Sequence, residues 1–340
     1  MFPKGAVWQE FRRWALDTVQ QDSGLAFRGP QTVSEWLEGG AYTAAVGGPA
    51  QAIVLTASSA EVGGVLLASA FYSADHALEH SVTVRNHLAC GRWASPAWGV
   101  VTFYYWLYHV VAALTHLLGH TVTNVSGLGA RIPADLAGVP ARRTAGPQIL
   151  RCMPAQSAVH RDVELTWSRK RSHDALWNSW AANLARCAGP ALPGAPSGDE
   201  ARLFGCLRAA ECVLGPRWPS DLRNSVNYGA KSGYGAVRGT ARQSVFGMVA
   251  VNPPTTIARL IDRLEANVAA LDRRGDAADQ VPIRSRVLVD TTFALHSLLD
   301  ALLAEVVSAR RLDRRWLNAR RDFAGRHARA LGWPALWPCA

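Results

Sequence analysis

His76 and His80 stand four residues apart in Asp75-His76-Ala77-Leu78-Glu79-His80, a spacing that sets both imidazoles on one helix face, as helical zinc sites do. Asp75 and Glu79 repeat that spacing on the adjacent face. The order is not H-E-x-x-H and the sequence identifies no third ligand, so a packed or exposed helix is expected here and no metal. His109 and His116, seven apart in an apolar stretch, are expected as core histidines bonded to a carbonyl. Gly229-Ala230-Lys231-Ser232-Gly233 carries a Lys-Ser pair, but Ala230 and Ser225 stand where a phosphate-cradling loop needs glycine. Gly127-Leu128-Gly129 lacks a third glycine and a preceding strand, and no G-x-S-x-G elbow exists. No cofactor is called for.

The charge is more informative. The 340 residues carry 36 Lys plus Arg against 26 Asp plus Glu, a net +10, with 49% apolar residues. That composition excludes a disordered or collagen-like chain. Residues 1–150 hold 9 basic and 9 acidic side chains, residues 151–340 hold 27 and 17. Two stretches account for the whole surplus: 217–242 at +4 and 308–340 at +6. Tyr228 and Tyr234 lie in the first, Trp316, Phe323, Trp333 and Trp337 in the second, so each combines phosphate-binding charge with rings able to stack on bases. On this reading Tyr228, Lys231, Arg314, Arg315 and Arg320 contact nucleic acid, RNA or single-stranded. Six scattered cysteines without a C-x-x-C pair signal neither a zinc ribbon nor a disulfide framework. Reduced thiols, no signal peptide and a cytoplasmic location are expected.

The elements that must position these residues read as helices. The uncharged run 96–119 could span a bilayer by length, but Tyr104, Tyr105, Trp106, Tyr108 and His109 occupy its middle, where spanning helices are aliphatic. A buried core helix, with no membrane, is expected. Further helices are read at 61–90, 174–188, 199–214 (stopped by Pro216 and Pro219), 255–273, 287–310 and 313–331. Residues 120–160 read as a long connection with room for short extended pieces, 190–197 as a loop, and 244–251 as a strand or the start of a helix. Seven or eight helices and no convincing run of strands predict an all-α multi-helix bundle, with a domain over 1–250 and a basic C-terminal helical segment over 251–340.

The stretch from Tyr104 to Leu114, closed by Gly119, resembles the helix of HEPN domains (higher eukaryotes and prokaryotes nucleotide-binding), with its paired aromatics, His, Ala-Leu and terminal Gly. Leu222-Arg223-Asn224-Ser225-Val226-Asn227-Tyr228 is similar to the Arg-Asn element that opens a later helix of that family. The resemblance covers about residues 60–235. It implies a helical core, RNA or nucleotide association, and phosphate contacts by Arg223 and Asn224. Active members cleave RNA without metal, using an Arg and a His four to six residues apart. The Arg steadies charge on the phosphate while the His exchanges protons. This chain departs from that pattern, with Tyr228 and Gly229 where the His would stand, and a phenol is a poor base at neutral pH.

Arg321 and His327 give a second Arg-to-His spacing. Six residues turn a helix through about 600°, so the two converge only if Gly325 bends the helix or a second subunit completes the site. The expected function is an RNA-associated, HEPN-like protein, with metal-independent ribonuclease or toxin activity in a prokaryotic defence or toxin–antitoxin system as the implied activity. Arg321 and His327 would then be catalytic. The alternative is a non-catalytic helical scaffold that binds a protein partner or a second copy of itself.

Overall fold

The computed structural model describes residues 4–19, 32–40, 42–47, 52–89, 96–126, 146–154, 159–189, 198–228, 256–271, 280–309 and 314–329. Ten helices and five strands lie among them. In chain order they are α1 (Ala6–Thr18), α2 (Val33–Gly39), β1 (Thr43–Gly47), β2 (Ala52–Ser58), α3 (Ser59–Ala89), α4 (Pro96–Leu117), β3 (His120–Thr123), β4 (Gln148–Cys152) and β5 (His160–Trp167). Then come α5 (Ser172–Cys187), α6 (Gly198–Leu214), α7 (Trp218–Tyr228), α8 (Ile257–Ala269), α9 (Val281–Ala309) and α10 (Arg315–Arg329).

The protein is mostly helical. α4 is apolar all round and buried nearly all round, from Val100, Phe103 and Trp106 to Val110, Leu114 and Leu117, so it takes the centre of the bundle. α3 runs beside it as its most extensive neighbour, with α9 next. α4 and α9 are each long and apolar enough to cross a membrane, and 72% and 78% of their most apolar windows are buried inside the protein. α8 is amphipathic and buries only Leu260, Ile261 and Leu264. α4 ends where Gly119 takes φ +76°, a left-handed conformation that a side chain there would strain.

The all-α expectation is corrected by a five-stranded sheet in the order β1-β2-β5-β4-β3, antiparallel throughout. Ile53, Leu55 and Ala57 of β2 face Leu165, Val163 and Arg161 of β5, and all six are buried. This inner row packs with Val33, Trp36 and Leu37 of α2 and Val62, Val65 and Leu66 at the start of α3 as a second, smaller core. Alternation is present in the sequence of β5, but Asp162 and Glu164 on its outer face and the inward Arg161 disguise it. Arg161 is held there by Asp17, whose carbonyl accepts from Nη2 at 2.7 Å and whose carboxylate lies 3.4 Å away.

A further correction concerns a boundary. Pro219 does not end a helix; it lies in the first turn of α7, where its missing N–H costs nothing. One hydrophobic core runs from Val7 of α1 through α4 to Leu299 and Leu303 of α9 and Leu317 of α10. The segments 229–239 and 244–251, with Lys231 and Tyr234, lie outside the described residues, as do Trp333 and Trp337.

Candidate functional site

α3, α4, α5 and α7 bring together side chains from four distant parts of the chain. His76 and His80 project from one face of α3, as their spacing requires. His109 of α4 packs against both, with ring centroids 5.0 Å from His76 and 5.4 Å from His80. His80 also stacks on Tyr105 at 5.9 Å, and exposed Tyr72 meets His76 edge-on at 4.5 Å. From α7, Arg223 donates through Nη2 to the Tyr105 hydroxyl at 3.2 Å and through Nη1 to Asn224 Oδ1 at 2.8 Å. Its guanidinium lies 5.2 Å from the ring centroid of Tyr104 and 5.6 Å from that of Tyr105, as a cation over π faces does. Nε of Arg223 is buried and makes no hydrogen bond.

The fourth contribution is His173, near the start of α5. Its Nδ1 is 2.5 Å from the hydroxyl of Tyr104, which also lies 3.1 Å from Ser220 Oγ of α7. Its ring stacks on Tyr108 at 4.4 Å. Arg169, Lys170 and Arg171, all exposed, lead directly into it.

His80, His109 and His173 are held toward the neutral form. Burial, then the neighbouring His80, His76 and His173, press His109 down to about 3. Burial and then His76 lower His80, with Glu79 opposing. Burial and then Arg223 lower His173, with Asp174 opposing. Burial raises Tyr104, and burial with the adjacent phenols takes Tyr108 to about 12. The result is a face that sets the fixed cation Arg223 among His80, His109 and His173, whose neutral imidazoles each keep a lone pair, a composition able to hold a phosphate and exchange a proton with it. Among the described residues no group of three His, Cys, Asp or Glu is arranged to hold a metal ion.

The other sequence candidates fall elsewhere. Arg314, Arg315 and Arg321 are exposed on α10 and at its entry, and the side chain of His327 is outside the described residues. Arg320 corrects the expectation of a solvated contact. Its side chain is 1% exposed and points inward, donating to the Ala74 carbonyl and to Asp75 Oδ1 at 3.3 Å. Trp316 stacks on Phe71 at 3.8 Å and donates to Asp75 Oδ2 at 3.2 Å, so it too anchors α10. α10 thus uses Phe71, Ala74 and Asp75 of α3, whereas the cluster uses Tyr72, His76 and His80, roughly a third of a turn round the same helix. Tyr228 is 77% exposed at the end of α7, and Asn224 is exposed beside Arg223. His116 bonds the Thr121 hydroxyl at 2.7 Å rather than a carbonyl.

Sequence reading missed His173 and Ser220, and took Tyr108 only as part of the apolar helix. The run Arg169-Lys170-Arg171 before Ser172-His173 was the available signal, a basic step into a helix start. Among the described residues, Cys152, Cys187, Cys206 and Cys212 form no disulfide. Burial takes the thiols of Cys152 and Cys187 up to about 11, which leaves them protonated and unreactive.

Compared with protein-family models, with curated proteins and with solved structures, the chain matches none of them. What the fold defines by itself is a mostly helical protein with a small antiparallel sheet at one side and a Tyr/His/Arg face on its central helix pair.

Proposed function

We propose that this chain is an HEPN-like protein that associates with RNA through the face built on Arg223, Tyr105 and His173. The observation that carries this reading is the hydrogen bond from Arg223 to Tyr105. It joins, across 118 residues, the two segments in which the resemblance resides. The face offers what an unpaired strand needs: a guanidinium whose Nη1 and Nη2 each keep a second N–H for the phosphate, exposed Tyr72 and Tyr228 as stacking surfaces, and exposed Arg169, Lys170 and Arg171 to follow the backbone. Metal-independent ribonuclease action in a defence or toxin system is the activity the resemblance implies for such a face.

Binding of a fluorescent single-stranded RNA tests the reading. Affinity is expected to fall by orders of magnitude as salt rises through about 50–200 mM and to weaken further in Arg223→Ala. No binding at low salt rejects it and favours the helical scaffold. If RNA is cleaved in EDTA and cleavage survives His327→Ala, the pair Arg321 and His327 is removed as catalytic.

A further inference from the structure

We propose that Arg186, His120 and Arg151 form a site for a compact phosphate dianion, free or as the terminal group of a small phosphomonoester, where the β3–β4 ribbon meets α1 and the end of α5. The inference is independent of the RNA-binding face. His173 begins α5 and Arg186 lies in its last turn, so the two places are about 20 Å apart along the helix.

Two guanidinium groups share the Trp14 indole, Arg186 at 3.7 Å from the ring centroid and Arg13 at 5.0 Å. Arg13 uses the parallel N–H groups of Nε and Nη2 to hold Glu10 Oε2, at 3.2 and 2.7 Å. The same fork of Arg186 is buried and makes no hydrogen bond. That fork matches two oxygens of an oxyanion. Arg161 and Arg320, also buried, each face a carboxylate, Asp17 in one case and Asp75 with Asp300 in the other. Arg186 is influenced instead by the like charges of Arg151 and Arg13 and by the Cys187 thiol, which burial keeps neutral.

His120 and Arg151 are register partners across β3 and β4, so their side chains leave the same face of the sheet. α5 packs on β3 there. Nε2 of His120 is a second buried polar atom without a hydrogen bond. Burial, then Arg186 and Arg151, keep the ring neutral, so an Nε2–H can donate to an anion without adding a third charge. Arg151 is exposed, and although Glu164 of β5 is its other register partner the two form no ion pair. Arg186 and Arg151 together balance two negative charges. Because the fork and the imidazole are out of reach of solvent, the anion is compact and enters as the long Arg151 side chain moves aside, a geometry that excludes a polymer backbone.

The test is isothermal calorimetry of the full chain with inorganic phosphate at low ionic strength and about pH 8, where the ion is mostly divalent. Saturable one-to-one binding is expected. By NMR the His120 pKa should climb from about 4 as phosphate is added, since the anion favours the charged ring. Arg186→Gln and Arg151→Gln should each weaken binding about 10–100-fold. Arg186→Lys, which keeps the charge and loses the fork, should weaken it as well. The exposed position of Arg151 guards against a folding defect at Arg186. Methyl phosphate, also a dianion, should bind as tightly as phosphate if the ligand is a phosphomonoester and about tenfold more weakly if it is the free ion. Dimethyl phosphate, a monoanion like the backbone of RNA, should not compete. No saturable binding, an unmoved His120, full affinity in any of the three variants, or dimethyl phosphate bound as tightly as phosphate overturns the assignment. So does phosphate binding that Arg223→Ala abolishes and Arg186→Gln leaves intact, which would move the anion to the other face.

Discussion

Arg320 of the last helix lies 3.3 Å from Nε2 of His296, and each side chain is 1% exposed. Trp106 donates to the other imidazole nitrogen, Nδ1, at 2.6 Å, which leaves the ring proton on Nε2, facing Asp300 at 3.6 Å as well as Arg320. Burial, with Arg320 and Arg85 adding to it, lowers the His296 pKa and keeps the ring neutral against the guanidinium. Three helices, α4, α9 and α10, therefore meet through one chain of polar side chains inside the core.

Removing the guanidinium should undock α10. Arg320→Ala deprives Asp75 and Asp300 of their shared cation and strips the Ala74 carbonyl of a donor. Asp75 is half exposed, so the loss should be about 2–3 kcal/mol, below the full penalty of breaking a buried pair. Denaturant unfolding checks the magnitude. Hydrogen exchange should show the amides of residues 315–323 losing protection first, and Arg320→Lys should not rescue, because an ammonium cannot span these acceptors in one plane.

Glu211 should make the protein less stable in alkali. Its carboxyl borders a small cavity with Leu107, Trp177, Trp180, Leu207 and Trp218, and burial takes it up to about 7 against a weak pull from Arg208. A raised carboxyl binds its proton more tightly in the folded state. Its contribution is whole below the unfolded value of 4.5 and is lost as pH rises through about 7. Glu211→Gln should therefore stabilise at pH 8 by up to about 3 kcal/mol and change little at pH 4, as read by thermal unfolding.

Acid should act through the histidines of the helix–sheet junction. Burial takes His116 to about 4, and burial with Arg186 and Arg151 takes His120 there as well. Lowered bases stabilise fully above their unfolded value of 6.5 and lose that contribution as pH falls through about 4. Stability should decline across that window, by up to about 3 kcal/mol for His116. His116→Gln, which can still bond Thr121, should flatten the decline.

The basic step into α5 should govern the salt dependence of RNA binding. If Arg169, Lys170 and Arg171 each neutralise one phosphate, replacing all three with alanine should lower the slope of log affinity against log salt by about 2. Arg223→Ala alone should lower it by less than 1 while weakening binding at every salt concentration. Equal slopes in wild type and triple variant would place the backbone elsewhere.

Helices were the legible part of this protein. The expected spans 61–90, 96–119, 174–188 and 199–214 match α3 to α6 within about two residues, because helical hydrogen bonds run only four residues back and amphipathic spacing records them locally. The strands were hidden for the opposite reason. Thr43–Gly47 and His120–Thr123 are too short to show a period, and Ala52–Ser58 finds its partner His160–Trp167 more than 100 residues away.

The candidate site divides in the same way. Sequence by itself determined which residue types were available and how they lie along each helix: His76 and His80 on one face, Tyr104, Tyr105 and His109 in one apolar segment, Arg223 next to Asn224. Only the tertiary structure decided which of them meet. It turned Arg320 inward onto α3 and α9, left Arg321 exposed on α10, and set His173 against Tyr104 and Arg223 against Tyr105. The physical reason is that a helix specifies its own faces through local bonds, whereas the neighbour each face receives follows from burying the apolar surface of α4 on all sides at once.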